Sequence, residues 1–309
     1  MKCQVCGSTK TRLVGNYQPY LDYSVDVFDC GDCLSRFAPH DGDAHEKLHS
    51  QSSKYFNHKE MEAEIANRLR MGDVSGAKSC LSKRTANSFV IDTVDSVPSA
   101  GNLLEIGCSR GFLAGYFLSS DRKVLGVDIS TTAISAAVES FGDHFCVADD
   151  PRIEAGAPYD VIYHVGTIGC IAFPVEMTKE LLGLLKPGGL LVFNAPNRIC
   201  CETLERMWLS TPPPDLVNLF HPEFWSKIDL DVAETKIKVQ NAGRLASGYI
   251  RMFANLEAKP VAKLFDDGNV LQPTWGSKRV RQLKTLYNAF AFPPLPEEYG
   301  IHVVLKRKS

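Results

Sequence analysis

Segments with the composition of buried strands alternate with helix-like segments through the middle of this chain. The strand-like segments are 103–106, 123–130, 144–150, 158–166 and 188–197. Strands this apolar have to be covered on both faces, so the pattern predicts an α/β fold with a mainly parallel, Rossmann-like sheet and helices on both sides. Ligands of such sheets bind beyond the carboxyl ends of the strands, which indicates where a site should lie.

A glycine-containing turn follows the first of these strands. The segment LLEIGCSRGF, residues 103–112, has the pattern of a strand, a turn with Gly107 and Gly111, and the start of a helix. Such a turn lets the backbone approach a nucleoside-bearing cofactor closely. Glu105 stands just before the turn, where a carboxylate would repel a pyrophosphate and attract the amino and sulfonium groups of S-adenosylmethionine. The loop therefore favours S-adenosylmethionine over a nicotinamide dinucleotide.

Acidic residues also end the next two strands. Asp128 lies where a carboxylate accepts hydrogen bonds from the ribose hydroxyls of a cofactor. Asp149, in the segment VADD, lies where a side chain can accept one from the adenine amino group. The predicted cofactor-binding residues are Glu105, Gly107, Cys108, Ser109, Gly111, Asp128, Ile129, Asp149, Asp150, Val165 and Gly166.

Five motifs follow one another in the order and spacing of a known family. The segments LLEIGCSRGF, VLGVDIS, VADD, YDVIYHVGTIGCI and LLKPGGLLVFNAPN make residues 80–225 resemble class I S-adenosylmethionine-dependent methyltransferases, in particular the small-molecule and sugar branch. The resemblance implies the seven-stranded sheet of that family, with a reversed last hairpin. Segment 236–240 is then a candidate for the sixth strand and segment 299–309 for the last one.

The chain departs from that family at positions near the acceptor. Gly166 stands where relatives often carry an acid, and Gly169 and Cys170 replace a Glu-His pair common in the small-molecule branch. Methyl transfer needs proximity, alignment and, for a hydroxyl acceptor, a base. We predict His164, inside the fourth strand, and His221, in the segment NLFHPEFW, as the candidate catalytic residues.

Two Cys-x-x-Cys pairs near the N-terminus predict a metal site. Cys3 and Cys6 form one pair, and Cys30 and Cys33 form the other. Four thiolates from two such knuckles give tetrahedral Zn²⁺ coordination with no open position, so the site should be structural. Two disulfides or free thiols are the alternative, and a reducing cytoplasm disfavours the disulfides.

The chain divides into three predicted regions. Residues 1–40 form a zinc ribbon, 41–100 a helical connecting or lid segment, and 101–309 the methyltransferase domain. The lid segment carries predicted helices over 59–70 and 79–97, and the domain carries acceptor-pocket insertions around 198–225 and 245–298. Four histidines of the connecting region are expected to be polar surface residues: His40, His45, His49 and His58.

Composition narrows the function. The chain has 309 residues and a formal net charge of −2, so it lacks the overall basic field of non-specific nucleic-acid binders. It shows no apolar run of bilayer length and no secretory signal, which makes a cytoplasmic location the expectation. We expect methylation of a small molecule, such as a hydroxyl of a nucleotide sugar or saccharide. RNA methylation with the ribbon as recognition module, or a non-catalytic cofactor-binding protein, are the alternatives.

Overall fold

The structure is a computed structural model. The residues that it describes are 1–50, 59–97, 101–199, 208, 211–239, 263–264 and 300–309. The predicted insertion at 245–298 falls almost entirely outside these residues, and the one at 198–225 is described only in part. Within the described ranges, no helix combines the length and the apolar character needed to cross a bilayer.

The N-terminal region is a small antiparallel sheet. Its hairpin and third strand are β1 (Thr11–Tyr20), β2 (Tyr23–Cys30) and β3 (Arg36–Phe37). Pro19 has no N–H to donate, and the β1–β2 register shifts between Tyr17 and Tyr20, where that donor is missing. The two knuckles lie at one end of the hairpin, as the ribbon prediction requires.

Between this sheet and the main domain, the described residues form four helices. They are α1 (Gly42–Ser50), α2 (Lys59–Arg70), α3 (Val74–Leu81) and α4 (Thr85–Asp95). The single helix predicted over 79–97 is wrong, because the chain turns at 82–84. The turn lets Leu81 of α3 and Ile91 of α4 pack in the same apolar cluster.

The main domain is built on a seven-stranded sheet. The described strands and helices of this domain are, in chain order, β4 (Asn102–Ile106), α5 (Phe112–Leu118), β5 (Lys123–Asp128), α6 (Thr131–Phe141), β6 (Phe145–Val147), α7 (Arg152–Ala155), β7 (Tyr159–His164), α8 (Pro174–Leu184), β8 (Leu185–Pro196), β9 (Asn218–Leu219), α9 (Phe224–Lys227), β10 (Val232–Val239) and β11 (Gly300–Arg307). The strand order is β10-β11-β8-β7-β4-β5-β6. Strands β4 to β8 are parallel, whereas β11 runs antiparallel to both β8 and β10. The predicted parallel sheet and reversed final hairpin are confirmed.

Both faces of the sheet are buried. Leu103 packs in a cluster with residues of α2 to α6, whereas the next residue, Leu104, packs in the cluster on the opposite face. Val161 and Ile162 of β7 divide in the same way. Side chains alternate across a strand, so this division explains why the strands read as continuous apolar runs.

The ribbon is joined to the main domain by backbone pairing. Strand β9, from the main domain, pairs antiparallel with β3 and makes the ribbon a four-stranded sheet. Asn197, just after β8, bridges to Phe220, just after β9. The loop that precedes β9 is therefore held between the ribbon and the carboxyl edge of the main sheet.

Candidate cofactor and acceptor site

The turn after β4 leaves no room for a side chain at its two glycines. Gly107 and Gly111 have positive φ angles of +72° and +74°. A Cβ at Gly107 would lie 2.3 Å from the Oγ1 of Thr167, and one at Gly111 would lie 2.4 Å from the ring of Phe145. Both conformation and space therefore require glycine at these positions.

Asp128 is fixed across this turn. Its carboxylate accepts hydrogen bonds from the backbone N–H of Ser109 at 2.8 Å and of Ser130 at 2.9 Å. Ser109 itself has a φ of +50°, in the left-handed region. That conformation costs an L-residue about 1–2 kcal/mol.

Glu105 is buried behind the turn. It is 4% exposed and accepts a hydrogen bond from the hydroxyl of Tyr163 at 3.3 Å. Burial raises the pKa of Glu105 to about 8, and the charge of Asp128 acts in the same direction. A buried carboxyl at this edge becomes a favourable partner for a cation once it ionises.

The remaining predicted cofactor residues differ in what they contact. Asp149 is exposed, whereas Asp150 accepts from the backbone N–H of Arg152 at 2.8 Å and holds the start of α7. Ile129 is 51% exposed, next to Asp128 and at the same edge as the half-exposed Val147. Two apolar side chains and the carboxylate of Asp149 are therefore open to solvent at this end of the sheet.

The turn after β7 lies at the same carboxyl edge of the sheet, on the side of β4 opposite to β5. Gly166, with a φ of +76°, donates its N–H to the Oδ1 of Asn194 at 2.8 Å, and Val165 is half-buried before it. The N–H of Cys108 donates to the carbonyl of Val127 at 2.9 Å. The first bond ties the turn after β7 to β8, and the second ties the glycine turn after β4 to the end of β5.

The four knuckle cysteines lie together. One sulfur each of Cys3, Cys6, Cys30 and Cys33 lies within 4.8 Å of the others, with 3.8 Å between Cys3 and Cys33 and 3.6 Å between Cys6 and Cys30. A tetrahedron with Zn–S bonds of about 2.3 Å has edges of about 3.8 Å. The spacing and the donor chemistry both fit Zn²⁺.

The two histidines predicted to be catalytic lie apart from each other. His164 is fully buried and stacks on Phe193 with ring centroids 4.7 Å apart, and burial lowers its pKa to about 3. His221 lines a different cavity of about 430 Å³, together with Cys6 and Cys33 of the ribbon. The structure thus places His164 in the core, at the end of β7, and His221 beside the knuckle cysteines.

Two other histidines, both on α1, lie near Cys170 and the loop before β9. We define the acceptor cluster as His45, His49, Cys170 and Asp215. The Oδ1 of Asp215, which is 2% exposed, lies 3.0 Å from the Nε2 of His49 and 3.3 Å from the Sγ of Cys170. The expectation that His45 and His49 are surface residues is wrong, because α1 packs its histidine face onto this loop.

Charge links the acceptor cluster to the cofactor edge. Burial works against protonation of His49, but its hydrogen bond to Asp215 and the carboxylates of Asp215 and Asp128 raise its pKa. His45 shows the opposite response, because burial lowers its pKa to about 4. The spacing of the two histidines, one helical turn apart, was the signal in the sequence; nothing in it pointed to Asp215.

The first knuckle holds both sides of the acceptor cluster. Gln4, between Cys3 and Cys6, donates its Nε2 to the Oδ1 of Asn218 at 2.8 Å and accepts at Oε1 from the N–H of His40 at 3.2 Å. Asn218 follows Asp215 by three residues, and His40 precedes α1. The ribbon thereby sets the position of α1 relative to the Asp215 loop.

Comparisons with known proteins agree with this fold. Residues 104–191 match the family model described as a methyltransferase domain. The chain is 28% identical over 127 residues to a ubiquinone biosynthesis O-methyltransferase of Parvibaculum lavamentivorans. The aligned residues are 39% of this chain and 50% of that protein. The enzyme of the same name from Ruegeria pomeroyi is 29% identical over 125 residues, covering 38% and 50%.

Among solved structures, a SAM-dependent methyltransferase from Archaeoglobus fulgidus aligns with a TM-score of 0.44 and 16% identity, over 72% of this chain and 92% of that one. The chain spans about half the length of the curated relatives it matches. The matched region, residues 104–191, is a methyltransferase domain. It carries the glycine turn and the parallel strands of the seven-stranded sheet, an arrangement similar to class I S-adenosylmethionine-dependent methyltransferases.

Proposed function

We propose that the protein methylates a hydroxyl group of a small molecule, such as a sugar or a related metabolite. The observation that carries the proposal is the Asp128 carboxylate, held by Ser109 and Ser130 at the carboxyl edge of the sheet, with the buried Glu105 behind it. The name of the two relatives, O-methyltransferase, supports an oxygen acceptor.

S-Adenosylmethionine supplies an electrophilic methyl group on a positively charged sulfur. Asp128 would bind the ribose hydroxyls, Ile129 would pack against adenine, and Glu105 would face the amino and sulfonium charges. The acceptor cluster then lies on the side of the edge where the acceptor enters. The reaction breaks the sulfur–methyl bond and forms an oxygen–methyl bond, giving S-adenosylhomocysteine, a methyl ether and a proton.

The ribbon has a separate role in this proposal. Cys3, Cys6, Cys30 and Cys33 would bind one structural Zn²⁺, because the site has four donors and no open position. Four thiolates held this close together need a bound cation for charge balance. Residues 1–40 would then fold as a zinc ribbon that supports the acceptor side.

Transfer of label from methyl-labelled cofactor tests the function. The acceptors are nucleotide sugars, small phenols and total RNA, each offered separately. We expect label in a small-molecule hydroxyl. Label in RNA alone would favour RNA methylation, and tight cofactor binding with no transfer to any acceptor would favour a non-catalytic binding protein; either result contradicts the proposal.

The cofactor residues are tested by Asp128→Ala. Loss of the ribose contacts should weaken S-adenosylmethionine binding at least 100-fold in calorimetry, since charge-assisted hydrogen bonds are worth about 1.5–3 kcal/mol each. The matched control is Asp231→Ala, an aspartate 75% exposed at the opposite edge of the sheet, which should bind as wild type does. Equal affinity in both variants would mean that the cofactor binds elsewhere.

A further inference from the structure

Three members of the acceptor cluster have the composition of a metal site. We propose that His45, Cys170 and Asp215 bind a divalent transition-metal ion of the Zn²⁺ class, with a fourth position open to an oxygen of the acceptor. The proposal deepens the proposed function and rests on it for the identity of the fourth ligand. It is separate from the ribbon site, which uses other residues.

The donors are the first argument. Imidazole nitrogen, thiolate sulfur and carboxylate oxygen are the three donor types that Zn²⁺ takes from proteins. Sites with four protein ligands are structural, whereas sites with three protein ligands keep a position for water or substrate. The ribbon cysteines fall in the first class and these three residues fall in the second.

The spacing is the second argument. A ring nitrogen of His45, the Sγ of Cys170 and a carboxylate oxygen of Asp215 lie within 4.8 Å of one another, and the Sγ lies 3.3 Å from Oδ1 of Asp215. Donors bound tetrahedrally at about 2.0–2.3 Å lie about 3.3–3.8 Å apart. Donor atoms that are this close to one another can converge on a single ion.

An unsatisfied nitrogen is the third argument. His45 is 9% exposed, and its Nε2 has no hydrogen-bond partner in the described part of the chain. A buried polar atom without a partner costs about 1–3 kcal/mol. A metal ion among these three side chains would provide that partner and the charge that a thiolate and a carboxylate require.

The surroundings are the fourth argument. Ligating carboxylates are usually held by a further hydrogen bond, and here the Nε2 of His49 lies 3.0 Å from Oδ1 of Asp215. The carbonyl of Gly169 accepts from the N–H groups of Val217 and Asn218, both at 2.9 Å. These bonds hold the Cys170 turn against the Asp215 loop before any ion binds.

An ion at this place would act on the acceptor. A bound Zn²⁺ lowers the pKa of an oxygen ligand by several units, which makes a hydroxyl nucleophilic near neutral pH. The ion would also orient that oxygen toward the cofactor edge, where the charge of Asp128 is felt by His49. The predicted acceptors are therefore hydroxyl compounds that can coordinate a cation, such as vicinal diols and catechols.

Metal content of the purified full-length protein tests the proposal. After growth with added Zn²⁺, mass spectrometry of the metal should give two equivalents in wild type and one in Cys170→Ser and in Asp215→Asn. Cys146→Ser, which alters another buried thiol, should keep two. Circular dichroism and cofactor binding establish that each variant is folded.

Cobalt substitution gives a second readout. The Co²⁺ protein should lose part of its thiolate-to-metal absorption in Cys170→Ser, and retain it in Cys146→Ser. One equivalent of metal in wild type, or two in both cluster variants, would overturn the metal site. Two equivalents together with no methyl transfer to any hydroxyl compound would instead leave the site standing and contradict the proposed function.

Discussion

At the scale of single residues, Glu105 is the most consequential side chain of the cofactor edge. Its ordinary pKa of 4.5 is raised to about 8 by burial. Between these two values the folded protein holds a proton that the unfolded chain releases, so Glu105 makes stability fall as pH rises. Above the ordinary pKa of a glutamate, Glu105 therefore lowers the free energy of unfolding of the ligand-free protein. A cation bound beside the ionised carboxylate would offset this loss.

This cost can be measured with Glu105→Gln. The variant should be more stable than wild type above pH 8 by at least about 1 kcal/mol, since one pKa unit corresponds to about 1.4 kcal/mol. It should also bind S-adenosylmethionine more weakly. Thermal unfolding from pH 5 to 9 gives the first effect and calorimetry the second, with the exposed Glu139→Gln as control. A stability difference that is constant over this range would contradict the assignment.

Cofactor binding should also be linked to protons through the same residue. The cation favours the ionised carboxyl, so affinity should rise as pH rises toward about 8 and then level off. Calorimetry at pH 7 in buffers of different ionisation enthalpy should detect proton release on binding. Glu105→Gln should abolish the release, and release that persists in the variant would assign it to another group.

At the scale of elements, the two halves of the site differ in how far their sequence reveals them. The cofactor half could be predicted because strand, turn and helix are adjacent in the chain. The local sequence around Gly107, Gly111 and Asp128 is therefore enough to predict the turn and the end of the strand. The acceptor half combines α1, the turn after β7 and the loop before β9. Cys170 and Asp215 are brought together by backbone bonds from Val217 and Asn218 to the carbonyl of Gly169, a long-range contact that no local pattern of the sequence encodes.

The link between knuckle and acceptor cluster predicts an effect of Gln4→Ala. The variant should keep cofactor affinity but lose about tenfold in methyl transfer, because loss of the bond to Asn218, worth about 1 kcal/mol, loosens the Asp215 loop. Gln18→Ala is the control, since the exposed side chain of Gln18, near the end of β1, donates to the carbonyl of Leu21 in the hairpin turn. Equal activity in the two variants would mean that the ribbon does not position the acceptor side.

At the scale of the whole molecule, a buried carboxylate joins ribbon and main domain. Asp29 of β2 is 7% exposed and is bonded by Arg36 of β3 at 2.8 Å and by Arg198, after β8, at 3.2 Å. Arg12 reaches the same carboxylate at 3.2 Å from solvent. One acid therefore has partners of equal distance and very different burial.

The difference in burial between Arg198 and Arg12 can be tested with a matched pair of variants. The substitution Arg198→Met, at a side chain 15% exposed, should lower the free energy of unfolding by about 3 kcal/mol, because a buried ion pair loses one partner. Arg12→Met, at a side chain 77% exposed, should cost less than about 1 kcal/mol. Urea unfolding measures both, and equal losses would mean that Arg198 does not anchor the ribbon.

Strand β3 is paired on both sides only in the finished molecule. Its outer partner, β9, is separated from it by roughly 180 residues, which take about 10 to 35 s to synthesise at about 5–20 residues per second. During that time a nascent ribbon presents an open edge to other chains, and open edges invite aggregation. The edge is two residues long and carries Arg36. Its short length and its charge would therefore limit aggregation of the nascent chain until β9 has been synthesised.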